Sequence, residues 1–103
     1  MTQIIRGTTP TIEFTYSDIA VSDITTAYLV IRQSGLSVIE KPISDATIGE
    51  TSLSWELTQE ETLQLNGARN AQIVCDWVLA SGVRGRSNIL TVDVGEPGKN
   101  EVI

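Results

Sequence analysis

The chain has no histidine and a single cysteine in 103 residues, and those two scarcities remove much of the chemistry open to a small domain. Without histidine there is no Ser-His-Asp or Cys-His nucleophilic arrangement. Tetrahedral zinc sites go with it, because one thiol and scattered carboxylates do not make a ligand set. Cys75 has no second cysteine to bridge within the chain, and it alternates in register with Ile73 and Trp77, which reads as a core thiol. Aromatic residues are 5% of the chain, so a stacking platform has little to draw on. Lys and Arg number 7 against 13 Asp and Glu, a net charge of −6 spread along the chain. Arg84 and Arg86 form the one local basic cluster, too small a footprint for nucleic acid or an anionic membrane surface. No apolar run approaches the ~20 residues needed to span a bilayer. Met1–Arg6 lacks the features of a secretory leader and no Asn-x-Ser/Thr sequon occurs, so synthesis in a cytoplasm without a signal peptide is expected.

Motif chemistry is equally sparse. Glu60-Glu61 is the one adjacent carboxylate pair, and it falls where a first helical turn favours negative charge. There is no Asp-x-Asp-x-Asp calcium loop and no Walker or dinucleotide fingerprint. Gly82-Val83-Arg84-Gly85 has Gly-x-x-Gly spacing but lies between two strand-like runs, where it reads as a turn. No catalytic residue, metal ligand or cofactor site is assigned, and the chain reads as a non-enzyme.

What is present is strand pattern. The fold expected is all-β, an antiparallel β-sandwich of about seven strands, with residues 1–95 as one domain and 96–103 as a C-terminal tail. Ile12, Phe14 and Tyr16 alternate after Pro10. Ala27, Leu29 and Ile31 make one face of Thr26–Gln33, and Tyr28, Val30 and Arg32 make the other. Ser34-Gly35 turns this run back into Leu36–Lys41. Leu53, Trp55 and Leu57 alternate next, followed by Ala71, Ile73, Cys75, Trp77 and Leu79, then Leu90, Val92 and Val94 in a last run from Ser87 to Val94. Between them Thr58 and Glu61 stand in capping-box spacing, so a short helical corner is expected near residues 58–65, stopped by Asn66-Gly67. Trp55, Trp77, Leu29, Ile31, Phe14, Leu63 and Val92 are the expected core.

In a sandwich of this order, Thr26–Gln33 and Arg69–Leu79 become sheet neighbours, which brings Tyr28, Val30, Val74 and Val78 together on an outer face. Such faces are ordinarily polar, so an apolar patch there is a candidate subunit contact. The alternative is scattered surface hydrophobes that need no explanation. Ile4, Ile5, Val102 and Ile103 are further interface candidates, because apolar residues at chain ends imply ends that are tied down.

Several landmarks stand in a familiar order: Ile4-Ile5-Arg6-Gly7-Thr8-Thr9-Pro10-Thr11, then Glu40-Lys41, then Leu57-Thr58-Gln59-Glu60-Glu61-Thr62-Leu63. Ala71-Gln72-Ile73, Ser87-Asn88-Ile89 and Glu101-Val102-Ile103 complete the series. Together they resemble small proteins of prophage tail and baseplate regions, similar to the immunoglobulin-like N-terminal domain of phage baseplate upper proteins. The resemblance spans nearly the whole chain and departs from the pattern at Val74-Cys75-Asp76-Trp77, which is more apolar. It implies an immunoglobulin-like sandwich, a structural role in a phage particle, and the virion as final location. The partners implied are other tail or baseplate proteins and copies of the chain itself, with no nucleic acid and no membrane. The competing reading is an immunoglobulin-like binding module for a surface carbohydrate or protein.

Overall fold

Two-residue alternation sets the strands, and the computed structural model, which describes residues 3–103, builds nine of them around one short helix. They are β1 (Gln3–Ile5), β2 (Thr11–Thr15), β3 (Ile24–Gln33), β4 (Leu36–Pro42), β5 (Thr47–Ile48) and β6 (Ser52–Glu56). The helix α1 (Gln59–Leu63) follows, then β7 (Ala71–Leu79), β8 (Arg84–Arg86) and β9 (Leu90–Gly95). The larger sheet runs β1-β9-β7-β3-β4, with β8 pairing on β7, and the smaller runs β2-β6-β5. All pairs are antiparallel except β1 with β9, which run parallel. The all-β sandwich read from the pattern is thus what forms.

Ala27, Leu29, Ile31, Leu53, Trp55, Ala71, Ile73 and Cys75 are fully buried between the sheets. Phe14 meets Trp55 edge to face at 6.1 Å between ring centroids, and the Trp55 indole N–H donates to the Pro42 carbonyl at 2.9 Å. The β3–β4 hairpin turns through Ser34 and Gly35, whose φ angles of 55° and 80° are both positive. Two consecutive left-handed residues match the right-handed twist of the flanking strands. At the corner, Thr58 caps α1: its Oγ1 accepts from Glu61 N at 3.1 Å, and Glu61 Oε1 accepts from Thr58 N at 2.8 Å.

The structure corrects the expected core and turns in four places. Trp77, Phe14 and Leu63 are half-buried, whereas Leu65 and Thr62 are fully enclosed. Leu90 is 44% exposed although it faces Ile73, because β9 begins there and no further strand among the described residues pairs beside it. The tight turn lies at Ala80–Gly82, not Gly82–Gly85: Gly85 is in β8, and a Cβ there would sit 2.1 Å from the Trp77 ring. The last run, expected to be one strand from Ser87 to Val94, breaks at 87–89. There Ser87 replaces regular pairing, its Oγ accepting from Cys75 N at 2.9 Å and its own N–H donating to the Cys75 carbonyl.

Candidate functional site

The pairing of β3 with β7 sets Val30 directly across from Val74, Tyr28 across from Asp76, and Thr26 across from Val78. The four residues singled out in the sequence therefore share the outer face of the larger sheet. Tyr28 is 47% exposed, and Val30 and Val78 are half-buried. Val74 also points outward but is 6% exposed, since it lies at the floor of a depression walled by Arg32, Arg86 and Ile89. It supports the surface and presents little of it.

The face is less apolar than the alternation implied. Arg84 on β8 pairs with Asp76 at 3.2 Å. Glu40 on β4 and Arg86 on β8 stand exposed at opposite sides of the face, and neither makes an ion pair among the described residues. Arg32 lies beside Gln72, and its Nε is buried with no hydrogen-bond partner. Two shallow grooves, of about 310 and 220 Å³, cross the face side by side and share Val30, Glu40 and Asp76 as walls.

A second concavity of about 450 Å³ opens between the sheets along β2, one edge strand of the smaller sheet. Phe14, Tyr16, Trp77 and Leu90 form its apolar wall, with Glu13 and Arg86 at the rim. Sequence reasoning assigned Trp77 to the interior and missed this opening, because it arises from the β8–β9 break. At its inner end the Tyr16 hydroxyl donates to Cys75 Sγ at 3.1 Å. Burial raises the Tyr16 hydroxyl far above its ordinary range, and the hydrogen bond to Cys75 adds to this. Burial likewise pushes the Cys75 thiol up; the Tyr16 hydrogen bond opposes that and the Asp76 charge reinforces it. A buried, protonated thiol is a poor nucleophile.

The terminal candidates divide. Ile4 is 1% exposed and packed in the core, so its side chain is not offered to a partner. Ile5 is half-buried, facing Gly95 of β9. Val102 and Ile103 are 47% and 85% exposed. The Gln59 side-chain amide clamps Ile103, accepting from its N–H at 2.8 Å and donating to its carbonyl at 3.2 Å. Arg6 joins the same region: Nε and Nη2 donate to the Leu65 and Leu63 carbonyls at the end of α1, while Nη1 donates to Glu96 and Asn100. Among the described residues no cluster of three or more His, Cys, Asp or Glu could hold a metal ion, and no helix is long and apolar enough to cross a membrane.

No family model matches the chain, and no curated protein matches it. Among solved structures it is similar to the immunoglobulin-like domain of mouse leukocyte-associated immunoglobulin-like receptor 1, crystallised as a strand-swapped dimer. The two share 20% identity at a TM-score of 0.53, over 89% of this chain and 84% of that one. At that identity the likeness speaks for architecture alone. The chain is an immunoglobulin-like β-sandwich.

Proposed function

We propose that this chain is a non-enzymatic structural component of a phage tail or baseplate that works by protein–protein packing. The observation that carries the packing role is the outer face of the larger sheet, where Tyr28, Val30 and Val78 are clustered on a surface that in a free-standing sandwich is ordinarily polar. The phage assignment rests on the sequence resemblance. Tail and baseplate proteins that pack against this domain, or further copies of it, are the proposed partners, and the assembled virion is the proposed location.

Co-purification with the structural proteins encoded beside it tests this reading. Tyr28→Glu combined with Val78→Glu is expected to abolish co-purification while leaving the fold intact by circular dichroism. Retention of the same partners by that variant would remove the face from the reading.

One observation favours a binding module instead. The groove along β2 sets half-buried Trp77, Phe14 and Tyr16 around about 450 Å³, a size that accepts a small ligand or a peptide side chain. Ligand-dependent tryptophan fluorescence, lost in Trp77→Leu, would favour that alternative.

A further inference from the structure

The charges on the outer face are arranged by side. The β4 edge presents Glu40; the adjacent lysine, Lys41, turns inward and is 9% exposed, and Glu40 makes no ion pair among the described residues, although Arg32 of β3 lines the same groove. The β8 edge presents Arg84 and Arg86 with no acid on that strand. Arg84 is already engaged by Asp76, which leaves Arg86 as the free cation of that edge among the described residues. Between the two edges run Tyr28, Val30 and Val78 over the enclosed Val74, with Arg32 and the Arg84-paired Asp76 among them.

A surface whose unpaired anion stands along one edge and whose unpaired exposed cation stands along the other is complementary to itself under one rotation. An axis lying across the strands would set each β4 against the other β4 and oppose like charges. An axis parallel to the strands, along the β3–β7 border, sets β4 over β8 and opposes Glu40 to Arg86 twice. We infer that this face pairs with the same face of a second copy about a two-fold axis parallel to the strands, with Glu40 of each copy meeting Arg86 of the other. This rests on the packing role proposed above and names its partner as a second copy of this chain. Charge opposition of this kind fixes register and excludes wrong partners.

The symmetry makes the test sharp. Glu40→Arg alone places two cations together at both contacts, and Arg86→Glu alone places two anions together. An equimolar mixture of the two variants restores opposite charges at both contacts. Sedimentation velocity from about 10 μM to 1 mM spans the affinities to be expected of so exposed an interface. The wild type is expected to self-associate, more weakly as salt rises. Each single variant should associate about tenfold less, and the mixture should regain the wild-type constant. Circular dichroism confirms that both exposed substitutions leave the fold intact.

A wild type that stays monomeric throughout, single variants that associate as the wild type does, or a mixture no tighter than its parts would each overturn the pairing. The co-purification test keeps the two readings apart. Loss of neighbouring tail proteins in the Tyr28/Val78 variant, alongside a monomeric wild type, would retain the packing role and discard the second copy.

Discussion

Lys41 lies across from Leu29 on the inward side of β4, a position where alternation calls for a hydrophobe. Its stem runs through the core margin and its ammonium emerges to donate to the Glu56 carbonyl at 3.0 Å and to Glu61 Oε1 at 2.9 Å. Glu61 therefore serves both the capping box and a largely buried ion pair. Burial raises its carboxyl, but the Thr58 N–H and the Lys41 ammonium outweigh that and hold it below the ordinary value. A depressed folded-state pKa contributes stability above the unfolded value of about 4.3, and that stability is lost as pH falls through the folded value. Glu61→Gln, which leaves Lys41 enclosed without its counter-ion, is expected to cost about 2–3 kcal/mol at pH 7. Thermal melts of both proteins between pH 7 and pH 3 should show the gap closing below about pH 4. A gap that stays constant to pH 3 would rule out the ion pair as its source. Gly85 is the other residue with a sharp expectation, since the Trp77 ring occupies the space of a Cβ. Gly85→Ala should destabilise by about 1–3 kcal/mol and shift tryptophan emission to the red as the ring is displaced.

The helical corner is too short to persist by its own hydrogen bonds, so its neighbours hold it. Thr58 and Glu61 close its start, and the guanidinium of Arg6 takes two carbonyls at its end, where a cation also suits the helix dipole. Gln33 secures the loop beyond, accepting from Asn66 N at 2.7 Å and donating to the Asn66 and Arg69 carbonyls. Through Glu96 and Asn100 the same Arg6 fastens the last residues of the chain. Arg6→Lys keeps the charge but loses the planar fork, so it should loosen the corner and the tail together. Hydrogen exchange is the measurement: the Ile103 and Leu65 amides should exchange about tenfold faster in the variant. Unchanged exchange at Ile103 would mean that Gln59 alone retains the tail.

At the scale of the whole molecule, β7 lies at the centre, paired to β3 on one edge and to β8 and β9 on the other. Cys75 sits midway along it, fully buried, and its backbone N–H and carbonyl are both engaged by Ser87. Reaching the thiol requires parting the sheets, so its labelling should report global opening and not local fraying. A bulky thiol reagent is expected to react at a rate that tracks denaturant unfolding measured by fluorescence. Fast labelling under native conditions would show that the groove beside Tyr16 admits solvent to the sulfur.

The sequence by itself determined the longer strands, their inward faces and the capped corner, because these follow from local spacing. Alternation at Ala27-Leu29-Ile31 and at Ala71-Ile73-Cys75 marks a buried side whatever the partner strand is. Thr58 and Glu61 are three residues apart and need nothing distant to meet. That β3 and β7 would be neighbours was also legible, from the order in which sandwich strands succeed one another. Tertiary structure decided what depends on registry and strand ends. The break between β8 and β9 exposes Leu90 and opens the groove beside Trp77, and the inward turn of Lys41 leaves Glu40 without an ion pair among the described residues. The parallel union of β1 with β9 takes Ile4 into the core instead of leaving it at the surface. No local spacing encodes these, because each is set by which residues far apart in the chain come to lie opposite one another.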